Sequence, residues 1–281
     1  MNYKISSRSF DQPLLKPMLE ELSRFLSHIE IKFYIIGAVA RDIILQAHRE
    51  KPSRATQDLD IAIAISNWKE YKTVENGILK IKGFTKDIKE IQRFIYKENY
   101  LLDIVPFGSI MKEDDRIFWP PDESFAMSVL GFSEVEKATQ QVIIDEHLTI
   151  DVASLAGIFI LKIVAWLSRH LEGNKDADDM GFIIINYLSV YEDRALNVHN
   201  DLYDDEDYNI ITSGAKLLGR DMAEILDKNK NTKNKIREIL QDEISNEEES
   251  RLINQIIETN RNLKYEEVFK CLGNIIAELK K

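Results

Sequence analysis

A single cysteine, Cys271, stands among 281 residues, so neither an internal disulfide nor a cysteine-ligated zinc cluster can form. That scarcity suits a reducing compartment, and the cytoplasm is the expected location. Cys271 itself lies on an apolar pattern with Leu272, Ile275 and Ile276, which reads as core packing. Histidine is also sparse: His28, His48, His147, His170 and His199 show no metal-ligand spacing such as His-x-x-x-His, so zinc hydrolysis is not indicated. Neither a Gly-x-Ser-x-Gly elbow nor a Walker-type glycine loop occurs. Long apolar runs are missing too. The longest, Val152 to Leu167, is broken by Ser154 and Lys162 and falls short of the roughly 20 residues that span a bilayer, so a buried helix and no membrane association are expected. Met1 to Asp11 lacks the apolar core of a signal peptide. Positive charge is outnumbered, 37 Lys and Arg against 48 Asp and Glu, for a net charge of -11 that falls mostly after residue 150. Nonspecific nucleic-acid binding depends on Lys and Arg displacing phosphate counterions, and this balance argues against it. A local patch at Lys228, Lys230, Lys233, Lys235 and Arg237 stays open.

What is present is a globular, helix-leaning composition, 44% hydrophobic and 30% charged, of a length that predicts two domains. Residues 14 to 29 carry helical apolar spacing. Ile31 to Ile36 reads as a strand ending at Gly37, Val39 to Ala47 as a helix, Asp58 to Ile65 as a second strand and Trp68 to Ile81 as a second helix. Phe94 to Tyr96 and Tyr100 to Val105, joined by Lys97-Glu98-Asn99, predict a hairpin ended by Pro106 and Gly108. Gln141 to Ile144 and Leu148 to Val152 predict another. Beyond about residue 153 the patterns are helical only, over about 153 to 171, 176 to 190, 207 to 227, 233 to 242, 247 to 260 and 265 to 280. The acidic stretch 201 to 207 and the basic stretch Lys228 to Arg237 read as solvated connections. The expected architecture is α+β: a mixed sheet flanked by helices in residues 1–150, then a helical bundle in 151–281.

Asp58-Leu59-Asp60 is the motif with most chemical content. Side chains alternate along a strand, so both carboxylates project from one face, and like charges that close repel unless a cation lies between them. A strand-end turn with solvated aspartates is the plainer alternative. A third carboxylate, Asp103, sits inside Leu101-Leu102-Asp103-Ile104-Val105, where a charge has no reason to be unless it faces a site. Three strand carboxylates form an oxygen-only set suited to Mg²⁺, with Mn²⁺ in its place. Upstream, Gly37-Ala38 between strand and helix could bring backbone N–H groups to a phosphate, or could simply make the turn. Arg41 is a candidate phosphate contact, or half of an ion pair with Asp42. Lys162, the one charge inside its apolar run, is either functional or a stem that covers core with its amine in water.

Gly37-Ala38 before a helix, Asp58-x-Asp60 and Asp103 together resemble the nucleotidyltransferase superfamily, with Ala38 departing from its usual second glycine or serine. The run Leu161 to Arg169 with Lys175-Asp176-Ala177-Asp178-Asp179-Met180 is similar to the bacterial AbiEii-type branch, the likeness spanning about residues 33 to 190. The resemblance implies Mg²⁺-dependent transfer of a nucleoside monophosphate from a nucleoside triphosphate to a hydroxyl. It implies metal and catalytic roles for Asp58, Asp60 and Asp103, and nucleotide contacts from Gly37, Ala38, Arg41, Lys162 and Asp176 in a cleft between domains. The acceptor is left open among RNA such as a tRNA 3′ end, small alcohols and protein hydroxyls. The rival expectation is a catalytically silent module of a toxin-antitoxin-like pair, binding a nucleotide or an antitoxin-like protein.

Overall fold

Short β-branched and aromatic runs, punctuated by glycine and by acidic turns, assemble into one sheet in the first half of the chain. The computed structural model describes residues 2–50, 58–204 and 208–281. Two units are distinguishable, Met1–Ser154 and Leu155–Lys281.

The first unit runs β1 (Asn2–Ile5), α1 (Leu15–His28), β2 (Phe33–Ile36), α2 (Gly37–Ala47), β3 (Asp58–Ile65), α3 (Trp68–Ile78), β4 (Phe84–Lys86), β5 (Arg93–Tyr96) and β6 (Tyr100–Gly108). It continues through β7 (Arg116–Phe118), β8 (Ala126–Ser128), α4 (Phe132–Lys137), β9 (Gln140–Ile144) and β10 (Leu148–Val152). Among the described residues eight strands form one sheet in the order β1-β9-β10-β2-β3-β6-β5-β4, while β7 and β8 pair separately. The sheet is mixed: β3 lies antiparallel to β2 and parallel to β6, and β6 antiparallel to β5. This is an α+β unit with β3 near the sheet centre.

Alternation divides β3 cleanly. Leu59, Ile61 and Ile63 are fully buried on one face, alongside Leu102 and Phe94 of the neighbouring strands, and the register makes these residues cross-strand partners or next neighbours. Asp58 and Asp60 take the opposite face and are half-buried. Helix α1 adds Met18, Leu19, Leu22 and Leu26, all fully buried at helical spacing.

Pro106 does not end its strand, because β6 runs through it to Gly108. The Ile104 amide donates to Gln92 O at 3.0 Å, on the β5 side. Two residues later Pro106 presents its donor-less nitrogen to that same side, beyond the last paired residue of β5, so no ladder bond is lost.

The second unit is helical throughout its described residues: α5 (Leu155–Arg169), α6 (Lys175–Val190), α7 (Glu192–Val198), α8 (Ile210–Leu226), α9 (Lys230–Ser245), α10 (Arg251–Thr259) and α11 (Tyr265–Leu279). Side-chain caps set several starts. Asn209 accepts from the amides of Ile211 and Thr212, Asn229 from Thr232, and Ser250 from Ile253. The Asn229 cap starts α9 earlier than apolar spacing indicates, so most of the basic stretch is helix rather than connection. Of the acidic stretch, residues 205–207 lie outside the described residues, and Asp201 pairs with Arg220. Helices α8 and α11 cross closely at Gly219, where a Cβ would stand 2.9 Å from Ile275 Cα. Among the described residues no helix is long and apolar enough to cross a membrane.

Candidate functional site

Three adjacent strands bring charge to one face of the first unit's sheet. In the parallel ladder Asp60 is the partner of Asp103, and Asp58 lies two residues back on the same face. On the other edge of β6, Asp103 is the cross-strand partner of Arg93. The row therefore reads Asp60, Asp103, Arg93 across β3, β6 and β5. Arg93 closes on Asp103 with both arms of its fork, Nε donating to Oδ1 at 2.8 Å and Nη2 to Oδ2 at 2.7 Å. These two hydrogen bonds raise the Arg93 pKa above its ordinary value, and the nearby Asp58 charge adds to the effect.

Arg93 is a residue the sequence reading passes over, although a signal exists. The hairpin pairs Tyr96 with Tyr100 around Lys97-Glu98-Asn99, with positive φ at Lys97 and Glu98. Three steps outward from that turn, Arg93 falls opposite Asp103.

The glycine turn lies against the same row. Ile36, the last residue of β2, is the antiparallel partner of Asp60, so α2 begins directly beside it. Gly37 has φ of +71°, and a Cβ there would stand 2.3 Å from Asp60 Oδ2 and 3.1 Å from Asp60 Cγ. Only glycine allows this approach. The N-cap residue of α2, Ile36, makes no side-chain cap, and the first turn holds no acidic residue, so the partial positive charge there is not offset from within the helix. Ala38 is the second residue of that turn. Gly37→Ala is expected to cost about 2–3 kcal/mol, from left-handed strain of about 1–2 kcal/mol together with displacement of the Asp60 carboxylate. Urea unfolding checks this, and an unchanged midpoint would contradict it.

Arg41 is placed differently from a solvent-facing phosphate contact. It is 1% exposed, and its Nε and Nη2 donate to Asp42 Oδ1 at 2.9 and 2.8 Å. The pair with Asp42 is part-buried rather than a surface one, its carboxylate 16% exposed. A buried guanidinium needs partners on the spot, and Asp42 supplies one.

The helical unit holds a second charged cluster. Lys162 Nζ on α5 lies 2.9 Å from Asp176 Oδ1 and 2.7 Å from Asp179 Oδ2, two α6 residues at (i, i+3) spacing. Arg169, two turns further along α5, donates from Nε to Asp176 Oδ2 at 2.7 Å and from Nη2 to Asp176 Oδ1 at 2.8 Å. Asp176 and Asp179 are 4% and 2% exposed. Burial alone would lower the Lys162 pKa, but the charges of Asp179 and Asp176 outweigh it and raise it above 10.5. Trp166, which shares the run, turns to α10 and donates to Gln255 Oε1 at 2.7 Å.

One solved structure is similar in part. It is the solution structure of the antibiotic-resistance factor ANT(2'')-Ia, at 10% identity over 69% of this chain and 100% of that one, with a TM-score of 0.33. A likeness that faint carries no argument for fold or activity. No family model matches the chain, and no curated protein does.

The geometry can be tested against a cation directly. Asp58 and Asp60 offer oxygen donors on one face, with Asp60 packed into a cradle that a Cβ at Gly37 would fill. That donor set fits a hard divalent ion beside an anion-ready helix start. Asp103, the third carboxylate of the expected set, has both oxygens bonded to Arg93. Among the described residues no group of three or more His, Cys, Asp or Glu is gathered closely enough to hold a metal.

Proposed function

We propose that this chain is a divalent-cation-dependent nucleotidyltransferase that moves a nucleoside monophosphate from a nucleoside triphosphate to a hydroxyl. The observation that carries the reading is the contact of the Gly37 turn with Asp60. It sets an anion-binding helix start against a carboxylate pair, the combination that a metal-bound triphosphate requires. In the reaction the acceptor oxygen bonds to the α-phosphorus, the bond to pyrophosphate breaks, and the acceptor proton is lost.

Asp58 and Asp60 would hold Mg²⁺ or Mn²⁺, which when bound neutralises phosphate charge and acidifies a hydroxyl. Backbone N–H groups of Gly37 and Ala38 bind phosphate oxygens. Asp103 accepts a hydrogen bond from the acceptor hydroxyl and draws its proton away, while Arg41 and Asp42 hold the first turns of α2 in place. On the helical unit Asp176 and Asp179 fix the Lys162 ammonium. The acceptor remains an RNA end, a small alcohol such as an aminosugar, or a protein hydroxyl, and the cytoplasm remains the expected location.

The second reading is a silent module that binds a nucleotide or an antitoxin-like protein, and the capture of Asp103 by Arg93 favours it. Incubation with each α-³²P-labelled nucleoside triphosphate and Mg²⁺, against total RNA and against cell lysate, separates the two. Label in an acceptor fraction supports transfer. Calorimetric triphosphate binding without label in any fraction supports the module, and absence of triphosphate binding overturns transfer together with the nucleotide-binding form of the module.

A further inference from the structure

We infer that Arg93 is an internal counterion that sets how strongly the acidic face of β3 and β6 binds a divalent cation, by competing for Asp103. The inference rests on the reading that Asp58 and Asp60 take such a cation. Among the described residues Asp58 and Asp60 on β3, Asp103 on β6 and Arg93 on β5 share this face, with Glu90 also acting on Arg93.

A guanidinium is the natural occupant of a carboxylate when no metal is there, because its fork matches both oxygens. Here that match is complete, at 2.8 and 2.7 Å. The Asp58 field reaches the same guanidinium, so Arg93 answers to Asp58 as well as to its direct partner. A divalent ion approaching Asp103 must therefore break the fork or stand within several ångströms of a fixed positive charge. Repulsion between charges of +2 and +1 at about 5 Å, even in water, corresponds to roughly ten- to twentyfold in affinity.

Arg93 is not needed to join its strands. The β5–β6 ladder pairs Arg93 through Tyr96, and Phe94, Tyr96 and Leu102 fill the opposite face at 0% exposure. The Arg93 side chain is 25% exposed at the end of that ladder. A cross-strand ion pair serving only the hairpin would contribute little there and would leave cation affinity unchanged.

Electron paramagnetic resonance titration of the full chain with Mn²⁺, without nucleotide, tests the inference. Arg93→Met is expected to bind Mn²⁺ about tenfold or more tightly than the wild type, and Arg93→Gln to do the same while keeping polar contact with Asp103. Arg93→Lys, which retains the charge, should stay within about threefold of the wild type. Adding Asp103→Asn to Arg93→Met should remove the gain. Mn²⁺-dependent rise of the melting temperature gives a second readout if Arg93→Met is too unstable for titration, since tighter binding to the folded state must raise it more. Equal Mn²⁺ affinity in the wild type, Arg93→Met and Arg93→Gln overturns the inference, as does a gain in Arg93→Lys equal to that in Arg93→Met. Asp58→Asn with Asp60→Asn separates the two levels. If that double variant binds Mn²⁺ like the wild type, the cation reading itself fails. If it loses Mn²⁺ while the Arg93 variants stay at wild-type affinity, only the role of Arg93 fails.

Discussion

Asp58→Asn combined with Asp60→Asn is expected to lower nucleotidyl transfer by about 10³-fold or more while shifting the melting temperature by no more than about 3 °C. The size follows from the work assigned to the pair. Neutralising phosphate charge at the reacting centre amounts to several kcal/mol, and about 4 kcal/mol is a thousandfold in rate. The small stability change follows from position. The two side chains lie on the half-buried face of β3, away from the fully buried Leu59, Ile61 and Ile63, and asparagine keeps their shape. Removing two negative charges beside Asp103 also relieves repulsion across the ladder, which offsets part of whatever hydrogen bonding is lost. The measurement is transfer of label from the α-phosphate of the preferred triphosphate, together with a thermal melt of the same preparation. Full transfer by the double variant would remove the carboxylate pair from the mechanism.

Where local pattern dominates, the first unit was legible. The strand Asp58–Ile65 announces itself because alternation, β-branching and a polar stop at Ser66-Asn67 agree. The hairpin around Lys97-Glu98-Asn99 is equally local. Partnerships distant in sequence were not legible. The pairing of β1 with β9 joins residues near 3 to residues near 142, and β4 is three residues long, so neither leaves a periodic signal. The reading of Pro106 as a stop failed for a related reason. Proline excludes a strand only where its nitrogen would face a neighbour, and that depends on how far β5 extends.

The site divides along the same line. Asp58, Asp60 and Gly37 share a neighbourhood that a strand-turn-helix reading can place, since β2 and β3 are close in sequence. Arg93 is a different kind of residue. It looks like an ordinary surface charge at the start of a short strand, and its meaning appears only when the hairpin register sets it opposite Asp103. Lys162 was conspicuous as the lone charge inside an apolar helix, yet its two carboxylate partners lie across a turn on another helix. Periodicity reports which face a residue occupies, and it cannot report what stands opposite.

That pairing across helices carries the largest expected effect on stability. Asp176→Ala removes three charge-assisted hydrogen bonds, one from Lys162 and two from Arg169, at a residue 4% exposed. Breaking a buried pair from one side costs about 3–5 kcal/mol, a large share of a total stability of about 5–15 kcal/mol. Amide hydrogen exchange of α5 and α6 should accelerate accordingly and report the change locally. The pH dependence supplies a second check with a definite sign. Burial alone would raise the Asp176 carboxyl, but the hydrogen bond from Arg169 and the charge of Lys162 outweigh it and hold it below 3.8. A carboxyl depressed on folding contributes stability that is fully present above its unfolded value and is lost as pH falls through the folded one. Lys162 is raised above 10.5, so its contribution is fully present below that value and is lost only as pH rises past it. From neutral pH down to about 5 the gap between the wild type and Asp176→Ala should therefore stay constant, then narrow as the wild type loses what the variant never had. Urea midpoints of both proteins from pH 7 to pH 3 measure this gap. A gap that persists unchanged at pH 3, or one below about 0.5 kcal/mol at pH 7, would show that the Asp176 carboxylate does not hold α5 and α6 together.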